Sequence, residues 1–414
     1  VSFGPIRYGL RLLAASDAAE IGADSRPYWV RDADIDTVPA FMINSVYRNG
    51  YFGERQREPQ RIGGTVPNDA MKERSVRGAG RRARSAAIAL MAPVLALSYP
   101  AACGADSPAL APRIAAATAT AHNNRTCVAA RPFYWEIGDQ HAALASGTEG
   151  AAVPTASTTL PISTASEWIF GAYLVQARQG KLSAADIEAL TMRSGYSNLQ
   201  YDRCVQRAPK TPRAVTVRDC FHAAHLVGGG NSDFKPAQVD KFFYNGGHFQ
   251  QLAANDPRLA DLSATALTGV IGGQLGTASA FSYDSPEPDA GIRTTSGAYA
   301  GFLRRILSGQ LLIRDQLGAE AVCTNPGRCQ TALSTPLPQT ENSRYSLGHW
   351  VEDDPRVGDG AFSDPGLHGF YPWIDASKTY YGLVGRVSPA PGAHVVSMQC
   401  GRSIRKAWFA ARVQ

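Results

Sequence analysis

The chain is expected to be α+β, an antiparallel sheet flanked by helices and interrupted by a helical insertion. Three observations predict it. Strand patterns occupy residues 131–145, helix patterns fill about 161–310, and strand patterns return after 344. Strands, then a long helical region, then strands again argue against a doubly wound parallel sheet. The 414 residues, 44% hydrophobic and 18% charged, suffice for one large or two ordinary domains with a real core.

Arg131 to Asp139, RPFYWEIGD, alternates Phe133, Trp135 and Ile137 with Tyr134 and Glu136, which reads as a half-buried strand. Gly138-Asp139 turns it and His141 to Ala145 returns as a hairpin partner. Pro161 to Arg178, PISTASEWIFGAYLVQAR, reads as the start of a buried helix that Gly180 closes. The hydroxyls Ser163, Thr164 and Ser166 sit at its start, where backbone N–H groups are unpaired and the helix dipole is positive. Ser183 to Leu190 is a second helix, with Ser183 as N-cap and Asp186 as its reciprocal partner.

Lys241 to Leu252, KFFYNGGHFQQL, places an aromatic pair and two glycines before an amphipathic helix. His248 in that helix reads as structural or solvent-facing before it reads as a general base. DAGIRTTSGAYAGFLRRIL, residues 289–307, is a Gly-containing turn opening a helix packed through Phe302, Leu303, Ile306 and Leu307. Tyr345 to Glu352 is a strand, followed by the acidic run Glu352, Asp353 and Asp354, expected in a solvated loop. Strands follow around 371–375 and at 380–387, and residues 393–411 form a last helix with Cys400, Ile404 and Trp408 on one stripe.

These stretches resemble the penicillin-binding-protein and class C β-lactamase superfamily. A hydroxyl at a helix start, an apolar turn and Gly171-Ala172-Tyr173 look like its nucleophile helix. YSLGHWVE and PGLHGFYPWID are similar to its C-terminal strands, so the resemblance runs from about Arg131 to the C-terminus. In that family Ser-x-x-Lys supplies nucleophile and base. Aligned through Trp168, those positions fall on Thr164 and Glu167. The second motif, Tyr-x-Asn, falls on Tyr244 and Gly246; Tyr196-Ser197-Asn198 also has that spacing, but Ser194-Gly195 fills the place of an earlier family feature. The third, Lys/His-x-Gly, falls on Asp364-Pro365-Gly366, with His368 two residues beyond as a substitute donor.

The resemblance implies acyl transfer to an amide or ester, with Thr164, Glu167 and Tyr244 as catalytic residues. Ser166, Gly246, Gly366 and His368 would contact the substrate, a small molecule or peptide. Tyr244 would shuttle a proton. The residues themselves weigh against speed. Glu in place of Lys puts an anion where an oxyanion must form. At about 4 Å and an effective dielectric near 20 that interaction is worth about 4 kcal/mol, or roughly three decades of rate. Thr164-x-x-Glu167 is also a capping box, which would stabilise the helix start without any chemistry. An impaired hydrolase, an inactive member that binds a cell-wall or peptide ligand in the same cleft, and a scaffold domain therefore stand side by side. No cofactor is expected, and the chain is expected to be monomeric.

The first 103 residues are expected to be discarded. Residues 1–70 read as a mis-called or disordered extension. Met71 then opens a signal peptide to residue 103: a basic KERSVRGAGRRAR, an apolar AAIALMAPVLALS and the small-residue end YPAAC. Residues 1–103 hold 14 Lys+Arg against 10 Asp+Glu, leaving 27 against 25 for the rest. So nearly neutral a mature chain has no electrostatic footprint for nucleic acid. Residues 104–126 would be a linker, an Ala- and Pro-rich tether running into a short helix, and 127–414 the folded domain.

Seven cysteines fit export to a periplasmic or envelope location. Cys204 with Cys220 and Cys323 with Cys329 form local pairs. Cys127 with Cys400 pins the ends of the domain, and Cys103 is left over as a site of lipid anchoring or of simple cleavage nearby. No Cys-x-x-Cys or paired His spacing suggests a metal.

Overall fold

The computed structural model describes residues 109–201, 204, 214–277 and 280–414. The expectations for the extension, the signal peptide and Cys103 lie outside the described residues. The described elements begin with α1 (Leu110–Asn123) and α2 (Arg125–Ala130), then β1 (Phe133–Asp139), β2 (Ala143–Glu149) and β3 (Thr159–Pro161). A 3-10 turn, Ser163–Ala165, leads into α3 (Ser166–Ala177) and then α4 (Ala184–Leu190). Next come α5 (Val217–Phe221), β4 (Phe242–Phe243), α6 (Gly247–Asn255) and α7 (Ala264–Leu275). β5 (Phe281–Tyr283), β6 (Ile292–Thr295), α8 (Ser296–Leu307) and α9 (Ile313–Gln316) close the helical region. The remainder is β7 (Val322–Cys323), β8 (Ala332–Ser334), β9 (Arg344–Tyr345), β10 (Trp350–Glu352), β11 (Ala361–Ser363), β12 (Tyr371–Ile374), β13 (Tyr380–Gly385) and α10 (Ala393–Ala410).

The main sheet runs β2-β1-β13-β12-β11-β10-β9-β7, with every neighbouring pair antiparallel. The N-terminal hairpin therefore docks beside the last strand, and the helical region is an insertion between the two halves of one sheet. The α+β expectation holds. The two-residue alternation of β13 shows how the faces are divided. Tyr381 and Gly385 meet Arg304 and Ser296 of α8, whereas Tyr380 and Val384 meet Trp408 and Gly401 of α10.

Three expectations change. The stretch read as a linker is helical from Leu110 to Asn123, because Ala116, Ala117 and Ala121 give it a small-residue face that packs on α10. The strand read as half-buried is buried on both faces from Phe133 to Gly138. Its polar side chains lie under α8, where Glu136 accepts from Tyr134 and Tyr381 and pairs with Arg304 at 3.7 Å. The acidic run is not solvated either. Glu352 is buried among Arg402, Arg405, Ser363 and Tyr371, and Asp354 is bonded to Arg356 and the Asn342 N–H. Sequence position hid this, because the arginines come from α10, some 50 residues later.

Disulfides join Cys127 to Cys400, Cys204 to Cys220 and Cys323 to Cys329, the three expected pairs. Ser183 and Asp186 form the expected capping box at α4. No helix among the described residues is long and apolar enough to cross a membrane.

Candidate functional site

The site is built on the turn that precedes α3. Ser163 takes φ +52°, a left-handed conformation that costs a non-glycine residue of order 1 kcal/mol or more. The turn is held from several sides. The Ser166 hydroxyl donates to the Ser163 carbonyl at 2.7 Å and accepts from the Ile292 N–H at 3.3 Å. The Tyr299 hydroxyl donates to the Ala165 carbonyl at 3.0 Å. The loop between β11 and β12 presses on the turn so closely that a Cβ on Gly366 would lie 2.1 Å from the Ile162 carbonyl oxygen. That loop also supplies the Leu367 N–H to the Thr164 hydroxyl oxygen at 3.1 Å, and Asp364 Oδ2 accepts from the Trp168 N–H at 2.9 Å.

The capping box does not form. Thr164 lies inside the 3-10 turn rather than in the extended conformation of an N-cap; the N-cap position is Ala165, and the first-turn N–H of Trp168 is taken by Asp364 instead. Glu167 is instead fully buried. Its Oε2 accepts from the Tyr345 hydroxyl at 2.6 Å, and its Oε1 has no hydrogen-bond partner among the described residues. Asp364, also fully buried, has an Oδ1 with no hydrogen-bond partner among the described residues. The two carboxyls repel one another. Burial first, then Asp364, holds Glu167 well above the usual carboxylate range, and the Tyr345 hydrogen bond offsets this only in part. Burial likewise raises Asp364, against the Trp168 N–H. Two such groups cannot both ionise cheaply, so burial and mutual repulsion favour the protonated form of the pair. Both positions aligned with family cations are thus acids in contact with each other's field.

Tyr244 touches both sides of the site, the Thr164 hydroxyl and the Glu167 carboxyl. Burial and the two nearby carboxyls push its phenol well above 10, which keeps it protonated. His248 is structural. Its Nδ1 accepts from the Ser194 N–H at 3.2 Å, its Nε2 lies 3.0 Å from the Phe243 carbonyl, and burial pulls it down to about 3.

A cavity of about 420 Å³ opens over this turn. Thr164, Tyr244 and His368 line it, as expected of site residues. Three others expected to contact substrate are packing positions. Ser166 is fully buried with both hydrogen bonds satisfied inside the fold. Gly366 is a glycine because of the Ile162 carbonyl. Gly246 is a glycine because Asp289 fills its Cβ space, with Oδ2 only 1.9 Å from an added Cβ.

Sequence reasoning missed Tyr345, Tyr201, Trp350, Glu287 and Asp289. Tyr201 and Trp350 line the cavity, as does Glu287. Tyr201 donates to Asp289 Oδ2 at 2.8 Å. Burial raises Asp289 to about 6, and burial with Asp289 raises Glu287 to about 8. The signal was two carboxylates one residue apart in Pro286-Glu287-Pro288-Asp289, a stretch with no periodicity to mark it as buried. Among the described residues, no Lys or Arg ion-pairs with Glu167, Asp364, Glu287 or Asp289.

No family model matches the sequence, and no curated protein matches it. Solved structures do align with it over most of their length. A D-stereospecific amidohydrolase from Streptomyces sp. aligns at 13% identity and TM-score 0.48, covering 74% of this chain and 100% of that one. Simvastatin synthase from Aspergillus terreus aligns at 13% and 0.46, covering 72% and 98%. A β-lactamase from Mycobacterium bovis aligns at 13% and 0.43, covering 67% and 96%.

Proposed function

We propose that the cleft over α3 binds a ligand without forming an acyl intermediate. The observation that carries this reading is the Glu167–Asp364 pair. Acyl transfer from Thr164 needs a group that takes its proton and positive charge beside the developing oxyanion. The site offers two buried acids whose carboxyls are both held well above the usual range, a protonated phenol at Tyr244 and a Thr164 oxygen already engaged by the Leu367 N–H. What remains is a preformed, largely apolar cavity with a few polar groups at its wall, the usual make-up of a small-molecule site. The three disulfides support export to an oxidising compartment.

The second reading, a slow exported hydrolase, is favoured by the contact of Tyr244 with the Thr164 hydroxyl. Intact mass after exposure to a fluorophosphonate probe and to penicillin separates the two. The binding reading expects unmodified protein. A stable adduct on Thr164, lost in Thr164→Ala, would establish the hydrolase reading instead.

A further inference from the structure

We propose that the cavity takes an organic cation, an alkylammonium group seated at Glu287 among Tyr201, Tyr244 and Trp350. This rests on the reading of the cleft as a non-covalent binding site. Glu287 is 4% exposed and lines the cavity. Its Oε2 accepts from the Ser285 hydroxyl, and its Oε1 has no hydrogen-bond partner among the described residues. A buried carboxylate oxygen with no partner is costly unless a donor or a cation arrives. An ammonium group brings both.

The walls fit the same ligand. Tyr244 and Trp350 rings lie 5.7 Å apart at 35°, and Tyr201, 37% exposed, stands with them on the lining. Aromatic faces attract cations electrostatically, most strongly where water is excluded. The remaining wall includes the apolar Leu337 and Leu367, suited to an alkyl chain. Asp289, behind Gly246, adds a second acid, and once both are ionised, above about pH 8, an anionic ligand would meet only repulsion from them. A metal ion is a poorer occupant. Among the described residues, the only metal-capable grouping around Glu287 uses Cys204 and Cys220, whose sulfurs are bonded to each other.

The inference has a pH signature. The groups facing Glu287 are Asp289, the Tyr201 phenol, the Ser285 hydroxyl and the Cys204–Cys220 bridge, none of them cationic. Its carboxyl, raised to about 8, must lose a proton when an ammonium binds. Affinity should therefore rise about tenfold per pH unit below that value and flatten above it.

The test is titration of the full chain with n-hexylamine, 1-hexanol and hexanoate, followed by Trp fluorescence and calorimetry between pH 6 and 9. Hexylammonium should bind saturably and at least tenfold more tightly than hexanol at pH 8, with hexanoate weakest. Glu287→Gln should abolish both the preference and the pH dependence. Equal binding of hexylammonium and hexanol, or no saturable binding of hexylammonium, overturns the inference. The first of these leaves the cleft reading intact. A covalent adduct on Thr164 overturns the cleft reading and leaves the cation preference standing.

Discussion

Two buried acid clusters in this molecule have opposite electrostatics. Glu352 is 1% exposed and Glu167 is 0% exposed, and each accepts a tyrosine hydroxyl, from Tyr371 and Tyr345 respectively. Glu352 faces Arg402 at 2.8 Å and Arg405 at 2.7 Å, and these arginines hold its carboxyl far below the usual range despite burial. Glu167 faces Asp364 and no arginine, and is driven the other way. Burial is common to both; the sign of the neighbour decides the charge state. One cluster ties α10 to the sheet as a structural ion network. The other leaves polar atoms unpartnered beside a cavity, an arrangement that stability alone does not explain.

The comparison breaks most easily at Glu352. Removing it takes one carboxylate from each of two buried guanidiniums, which keep Glu341 and Asp359 respectively, so Glu352→Ala should cost about 3 kcal/mol in urea unfolding. Gly366→Ala tests the other cluster's frame. The added methyl meets the Ile162 carbonyl oxygen at 2.1 Å, and separation of the loop from the turn should cost about 1–3 kcal/mol and release the Leu367–Thr164 hydrogen bond. Tyr345→Phe removes the donor to Glu167 and should cost about 1 kcal/mol. Glu167→Gln should cost less than about 1 kcal/mol at pH 7, because an amide replaces a group that already carries a proton or shares one. A loss as large as that of Glu352→Ala would show that Glu167 is an ionised partner in a network.

The clusters also predict opposite pH behaviour. Glu352 has a folded value depressed below its ordinary 4.5, so its stabilisation is present above that pH and lost as pH falls through the folded value. Asp289 and Glu287 have folded values raised from 3.8 to about 6 and from 4.5 to about 8. The folded chain binds those protons more tightly, so their contribution is full below the ordinary values and is lost as pH rises toward 6 and 8. Unfolding of Glu287→Gln followed from pH 5 to 9 should show a shallower alkaline decline than the parent.

The fold was legible in the sequence where local pattern and topology agree. The Phe133 hairpin, the α3 and α8 helices, the Ser183 capping box and all three disulfides were readable from periodicity, cap chemistry and cysteine spacing. The site was legible only in part. Thr164, Glu167 and Tyr244 do converge, but Thr164-x-x-Glu167 looked like a cap because the competing partners, Leu367 on a loop and Tyr345 on a strand, lie about 180 to 200 residues away. The glycines at 246 and 366 looked like room for substrate and are room for Asp289 and the Ile162 carbonyl. Glycine in a sequence marks a close approach without saying what approaches. The acidic run at 352–354 failed for a similar reason: charge reads as exposure unless the partner is known, and its partners lie on α10.

The central claim is that the acids standing where a cationic catalyst is expected hold a proton at neutral pH. Infrared difference spectroscopy of the full chain at pH 7, comparing the parent with Glu167→Gln/Asp364→Asn, measures this directly. A protonated-carboxyl C=O band in the parent that vanishes in the double variant is the predicted result. Loss of carboxylate bands alone would mean both acids are ionised, and would contradict the account.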